Sequence, residues 1–307
     1  MNPKISIIIA TYNGAEKLPN ILQALKNQSF RDFEVLVMID GSTDNSEEVA
    51  WSWKNSFEKF SVHKIPNSGR SVIRNTGARM ASTELLLFFD DDMRPLPNCV
   101  ALHWEHHQKH PGSIVTGGLS EDPAHCTKDI HLYKVHLSEK WTAPLVRLEG
   151  IPLNRSNFFV TAANLSLSKR LFDQLKGFNE RLTDAEDYEL GLRALKQQVQ
   201  LFYAPKAFAW HDDYKSAAGL IKRQRQYAQM NRYLIDEGII PADEVTKAAM
   251  QLSMFKKLFF RLFTFRFWIN SIDNSRIWNI MPQKIRYKFY DWIITSNGTY
   301  YIYEVKL

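Results

Sequence analysis

The sequence predicts an α/β fold: a mostly parallel sheet covered by helices on both faces, with a helical appendage at the C-terminus. Three observations lead there. Short apolar runs of strand length alternate with helix-length segments through the first third of the chain. Polar clusters follow several of these runs, at what would be the carboxyl ends of parallel strands. The third is an uneven charge, a neutral body followed by a basic, aromatic tail.

Residues 5–10, 33–39, 61–65 and 85–89 read as buried strands, being short and largely apolar. Between them, residues 16–27, 45–55 and 70–81 read as helices, and Asp44 with Glu47 three residues later forms a start signal for the second. Strands separated by helices in this way pair in parallel and are buried on both sides. Further on, 98–110 reads as a helix ended by Pro111-Gly112, and 117–156 as loop-rich. Helices follow near 168–175 and 186–198, then a strand at 199–204 and a long helical stretch to about 235. The main domain is placed at 1–235 and the appendage at 236–307.

A chain of 307 residues with 45% hydrophobic content can bury a large core, and 23% charged residues without a low-complexity tract argue against disorder. Cys99 and Cys126 are too few for a disulfide framework and lack metal-site spacing. The run Ile5–Ala10 is too short for a signal-peptide core, and no stretch approaches the ~20 apolar residues of a membrane span. A cytoplasmic location is expected. Residues 254–307 hold nine Lys/Arg against three Asp/Glu and 15 of the 39 aromatics.

Chemistry concentrates at the strand ends. Thr11-Tyr12-Asn13 follows the first strand, a segment that also suits a plain turn. Asp40 ends the second strand, before Gly41-Ser42-Thr43-Asp44; it suits hydrogen bonds to a ribose or base, or the start of the next helix, and Asp44 reads as the helix start. The fourth strand delivers Asp90-Asp91-Asp92. Three adjacent carboxylates repel one another, and a hard divalent cation, Mg²⁺ or Mn²⁺, relieves that repulsion. The helix opening at Arg70 and carrying Arg74-Asn75-Thr76-Gly77 offers an N-terminus and guanidinium groups to an anion. No G-x-G-x-x-G follows the first strand and no P-loop occurs, which argues against a nicotinamide dehydrogenase or a P-loop nucleotidase.

In order, Thr11-Tyr12-Asn13, the Asp40 turn, Arg74-Asn75-x-Gly77, Asp90-x-Asp92 and Glu186-Asp187-Tyr188-Glu189-Leu190 resemble the inverting glycosyltransferases of family 2, over roughly residues 5–211. The resemblance implies a GT-A-like nucleotide-sugar-binding sheet, with a donor-binding half at 1–115 and an acceptor-binding half at 116–235. It implies that Thr11, Tyr12, Asn13 and Asp40 hold the nucleoside, uridine being the usual one. Arg70 or Arg74 would lie near the diphosphate. Asp92 would bind the metal directly, Asp90 and Asp91 would contact the donor or metal-bound water, with Asp90 a further candidate ligand, and His211 would add a contact. Asn164 and Glu186 would fall on the acceptor side.

Asp187 is the general-base candidate, because a sugar hydroxyl is a poor nucleophile unless a carboxylate takes its proton as attack develops. Acids also open helices for stability alone, so both readings apply to Glu186 and Asp187. His103, His106, His107 and His110 share a helix face and read as an exposed histidine-rich surface. Arg223-Gln224-Arg225-Gln226-Tyr227 resembles the motif of processive synthases but has Tyr227 where they have Trp.

The tail from Met254 to Ile272 interleaves aromatics with Lys256, Lys257, Arg261 and Arg266. Two readings stand: peripheral attachment to an anionic membrane, or packing on protein. No nucleic-acid motif accompanies the tail. The expected activity is transfer of one hexose or N-acetylhexosamine from a UDP-sugar to a glycan or glycolipid acceptor. The alternatives are a nucleotidyltransferase, which lacks its Gly-rich basic loop here, and a non-catalytic nucleotide-sugar-binding protein, which has no need of the carboxylates.

Overall fold

The computed structural model describes residues 2–240, 253–274 and 278–303; parts of the expected appendage, 241–252, 275–277 and 304–307, lie outside the described residues. The chain divides into two compact units. One comprises Met1–Ser120 with Ser138–Asp212, the other Glu121–Leu137 with Asp213–Leu307.

The first unit is built on an eight-stranded sheet in the order β3-β2-β1-β4-β7-β6-β8-β5. Strands β1 (Ile5–Thr11), β2 (Phe33–Asp40), β3 (Phe60–Ile65) and β4 (Leu85–Asp90) are mutually parallel, as expected. Their crossovers carry helices α1 (Leu18–Lys26), α2 (Ser46–Trp51) and α3 (Arg70–Met80). Both faces of β1 are buried: Ile5, Ile7 and Ile9 join one apolar cluster, and Ile8 joins the other. That is why the strand is a continuous apolar run rather than an alternating one.

Beyond β4 the sheet turns mixed. β7 (Asn164–Ser168) runs antiparallel to both β4 and β6 (Ile114–Ser120). β6 pairs in parallel with β8 (Leu201–His211), and β5 (Met93–Pro95) closes the edge antiparallel to β8. The sequence pattern predicted none of β5, β6 or β7. β7 reads Asn-Leu-Ser-Leu-Ser, yet Asn164 and Ser166 are as buried as its leucines. The 117–156 loop is also corrected, since it contains α5 (Asp129–Val146), whose Pro144, histidines and aromatics hide the helical pattern. α4 (Cys99–Lys109), α6 (Lys169–Gln174) and α7 (Glu186–Lys196) complete the first unit.

In the second unit, α8 (Ala217–Asp236), α9 (Met254–Arg261), α10 (Arg266–Asp273), α11 (Gln283–Thr295) and the first half of α5 surround an aromatic core. Tyr133, Ile221, Phe263, Trp278, Tyr290 and Ile293 lie at its centre. Part of the tail's aromatic content therefore stabilises this unit by burial. Among the described residues, no helix is long and apolar enough to cross a membrane.

Candidate functional site

Sheet register brings the expected residues to one edge. Ala10 pairs with Asp90 across β1 and β4, and Thr11 pairs with Ile39 across β1 and β2. Thr11, Asp40 and Asp90 to Asp92 therefore stand side by side at the carboxyl ends of parallel strands, the usual ligand edge of an open α/β sheet. The Thr11 hydroxyl donates to Asp91 Oδ2 at 2.7 Å. Gly14 permits that contact, because a Cβ there would lie 2.0 Å from Thr11 Oγ1 and 2.5 Å from Asp91 Oδ2. On the other side, β5 pairs Met93 with His211 of β8, and His211 Nε2 comes 3.4 Å from Asp92 Oδ1.

A residue absent from the sequence-based candidates joins this edge. The Lys17 ammonium, just before α1, lies 3.1 Å from Asp91 Oδ1 and 3.2 Å from Asp92 Oδ2. Burial works to lower the Lys17 pKa, but the two carboxylates outweigh it and hold it raised. Burial pushes Asp91 up to about 6, with Asp92 adding to the effect while Lys17 and Thr11 oppose it. Asp92 goes the other way: burial favours its neutral form, and His211 and Lys17 overcome that and keep it below the usual carboxylate range. Asp92 Oδ1 is buried without a hydrogen-bond donor. The signal that could have found Lys17 is its place in the loop after the first strand, facing the carboxylates of the fourth.

Arg74, expected near a diphosphate, is occupied instead. Its side chain is buried on α3, and its guanidinium binds Asp90 and Glu186. Burial disfavours the charged guanidinium, and the two carboxylates more than restore it. Arg74, expected as an anion contact, and Glu186, expected on the acceptor side, instead form one buried ion pair with each other, joining the end of β4 to the start of α7. Glu186 Oε2 remains buried without a donor. Arg70, one turn earlier, is exposed at the start of α3, its Nη1 3.6 Å from Asp184 Oδ1.

Asp187 is half-buried in the first turn of α7. Its Oδ2 accepts the Ala162 N–H at 3.1 Å, and its Oδ1 accepts the Tyr188 N–H at 2.7 Å. Burial and the adjacent Glu186 charge push it up to about 6, against the two N–H donors and Arg74. A carboxylate with that pKa is ionised at neutral pH yet more basic than an ordinary one, as a general base requires.

The turns beside the edge are cross-braced. Asp40 accepts the Ser68 N–H and hydroxyl on Oδ1 and the Gly69 N–H on Oδ2, at 2.7, 3.0 and 2.9 Å. Both of its oxygens thus hold the loop that opens α3. Gly41 has φ +66°, and a Cβ there would meet the Asn67 nitrogen at 2.4 Å. Asn13 accepts the Thr43 N–H at 2.9 Å, while Tyr12 is exposed. Asp44 accepts from Ser46 at the start of α2 and from the Ala15 N–H, with Asn45 in the cap position, one residue later than the sequence signal.

Two further expectations are corrected. Asn164 faces no ligand edge, for it is fully buried in β7. Its amide donates to Gly118 O at 3.1 Å and Ala207 O at 2.9 Å, and its Oδ1 lies 2.9 Å from His103 Nε2. Nor is the histidine helix wholly exposed: His103 and His107 are buried, each within hydrogen-bond distance of the Ser166 hydroxyl. Because Asn164 Oδ1 can only accept, His103 carries its proton on Nε2 and takes one from Ser166 on Nδ1. His107 Nε2–H then donates to Ser166. In the second unit, the Arg223–Tyr227 segment is used in packing: Gln224 donates to Thr299 and Arg225 to the Asn297 carbonyl.

Among the described residues, no group of three or more His, Cys, Asp or Glu side chains is arranged to hold a metal ion. The geometry is an acidic strand-end edge with two cationic neighbours and a separate, more basic carboxylate. The model of glycosyl transferase family 2 matches residues 6–176, more than half of the chain. The chain belongs to glycosyl transferase family 2. Among its relatives is a poly-β-1,6-N-acetyl-D-glucosamine synthase of Staphylococcus epidermidis, 22% identical over 83% of this chain and 61% of that protein. The chain spans less than two thirds of the length of the first curated relatives it matches. Two solved structures share the fold. A mannosyltransferase of Pyrobaculum calidifontis in complex with GDP-Man and Mn²⁺ has a TM-score of 0.59 at 16% identity, covering 100% of this chain and 89% of that one. S. aureus TarS 1–349 in complex with UDP-GlcNAc has a TM-score of 0.54 at 16% identity, covering 97% and 93%. The family and its GT-A-like fold are as expected, and the nucleotidyltransferase alternative falls.

Proposed function

We propose that this family 2 glycosyltransferase moves one hexose or N-acetylhexosamine from a UDP-sugar to an acceptor hydroxyl, with inversion and with a divalent metal. The observation that carries the proposal is Asp92, whose buried Oδ1 lacks a hydrogen-bond donor and sits 3.4 Å from the His211 imidazole. Carboxylate oxygen beside imidazole suits Mn²⁺ or Mg²⁺, and an incomplete protein ligand set leaves positions for diphosphate oxygens. Asp92 and His211 would hold the ion, with Asp90 and Asp91 close by. When bound, it would supply positive charge to the departing diphosphate.

The chain's own groups account for the remaining steps. Thr11, Tyr12, Asn13 and the Asp40 turn form the donor side, and Arg70, exposed beside Asp184 at the start of α3, would meet the diphosphate. Asp187, steadied by the Ala162 and Tyr188 amides, takes the proton of the acceptor hydroxyl. The hydroxyl oxygen forms its bond to the anomeric carbon as the bond to UDP breaks, and UDP leaves with the electron pair. Attack opposite the leaving group inverts that centre. The relatives' printed activities favour an acceptor in surface polysaccharide or glycolipid assembly, and a lipid-linked acceptor would bring the enzyme to the inner face of a membrane.

A panel of nucleotide-sugars, screened for thermal stabilisation and hydrolysis, tests the proposal. UDP-sugars should stabilise the protein with Mn²⁺ and not with chelator, and the sugar released should have the inverted anomeric configuration. Stabilisation by no nucleotide-sugar, or release with retained configuration, would contradict it.

A further inference from the structure

Helix α9 is half built into the second unit and half left outside it. Phe259 packs against Phe263 and Trp292, and Phe260 against Tyr300. Those contacts fix which way the helix faces. At 100° per residue, Met254, Phe255, Leu258 and Leu262 fall together on a stripe roughly 100° wide, the apolar width expected of a helix that buries one side. Yet Met254 is 85%, Phe255 80%, Leu258 65% and Leu262 57% exposed. Leaving a contiguous apolar row in water is unfavourable, so it marks a surface that meets another phase or another molecule.

The charges around the stripe decide which. Lys257 and Arg261, four residues apart, border it on one side, and both are exposed. The turn that follows exposes Phe265 and Phe267 on either side of Arg266. From residue 253 to 272 there are four Lys/Arg and no Asp or Glu. A protein groove that covered the stripe would need acidic partners for all four cations. A leaflet of anionic lipid supplies apolar depth and negative charge together, and aromatic rings with basic side chains suit the headgroup level.

We propose that α9 and the turn into α10 form a docking surface for an anionic lipid bilayer. Phe255, Leu258 and Leu262 enter the acyl boundary, and Lys257, Arg261 and Arg266 stay among the headgroups. The proposal gives a place to the lipid-linked acceptor proposed above and rests on that reading only for its purpose. Binding to lipid requires neither donor nor acceptor, so it is measured independently of transfer.

The test is co-sedimentation of the full-length protein with vesicles of phosphatidylcholine alone or mixed with phosphatidylglycerol, at low and high salt. The mixed vesicles should bind it, the neutral ones should not, and salt should release it. Phe255→Ser with Leu258→Ser should weaken binding by at least about tenfold, the scale of losing two inserted side chains. Lys257→Ala with Arg261→Ala should weaken it by roughly 30-fold and flatten the salt dependence. Circular dichroism and light scattering on each variant check that the fold and the mass are unchanged. Full-length protein that ignores anionic vesicles at low salt would overturn the proposal, as would serine variants that bind like the parent. A dimer in solution that the serine changes dissociate would also overturn it, by assigning the stripe to a second copy of the chain.

Discussion

Arg74→Met separates a structural guanidinium from a ligand-binding one. In this structure, Arg74 neutralises Asp90 and Glu186 in a buried position, with Asp187 on the next residue. Methionine keeps much of the side-chain volume and removes the charge. Breaking a buried pair by deleting one partner costs about 3–5 kcal/mol, because the carboxylates left behind are uncompensated. For a chain of this size that corresponds to a melting temperature lower by on the order of 10 °C. The loss should shrink as the pH falls, since protonated carboxylates no longer need the guanidinium. Arg74 also holds Asp187 down against burial and Glu186, so the acid limb of transfer, governed in the parent by a group near 6, should move to higher pH. Differential scanning fluorimetry across pH, with a pH–rate profile, reads both effects. A variant with parental melting and a parental acid limb, but weakened UDP binding, would refute this account and restore Arg74 as a diphosphate contact.

Asp187→Asn should lower transfer by about 100- to 10,000-fold with little change in donor affinity, the range of a lost positioned base. Glu186→Gln should instead lower the melting temperature by weakening the Arg74 pair, and single-turnover rates beside melting curves distinguish the two. The buried histidines predict acid sensitivity. Burial, helped by nearby His106, lowers His103 from 6.5 to about 4, against the Asn164 hydrogen bond. The unfolded chain therefore binds the extra proton first, and stability present above pH 6.5 is lost as the pH falls toward 4, by up to about 3 kcal/mol for this one group. Asp91 and Asp187 oppose that trend below pH 6, so the reading is taken from His103→Gln, which does not titrate there; its stability should fall less than the parent's between pH 6.5 and 4.5 in urea titrations, and parallel curves would remove His103 as the cause.

The legible part of this protein was what local pattern determines. β1 to β4 are short apolar runs buried on both faces, and the acids at their ends fall where parallel strands must place them. The illegible part was what distant partners determine. Arg74 and Glu186 are 112 residues apart, and only the folded chain shows that one neutralises the other. Read singly, Arg74 suits any anion and Glu186 any helix start. Asn164, Ser166, His103 and His107 are polar enough to suggest a surface, but they satisfy one another inside the sheet and beneath α4. Lys17 is legible only through the sheet order, because an isolated lysine before a helix carries no pattern until β1 and β4 are neighbours. In the tail, the alternation of aromatics and cations is the same for buried Phe263 and exposed Phe255; packing alone separates them.

The measurement that tests the central claim most directly is calorimetric titration of UDP into the full-length protein and into Asp92→Asn, each with Mn²⁺ and with chelator. The account predicts that the parent binds UDP tightly only with Mn²⁺, and that Asp92→Asn loses at least about tenfold of that affinity, the size of one charge-assisted contact, while remaining folded at the temperature of the titration. Equal UDP affinity in all four titrations would contradict it.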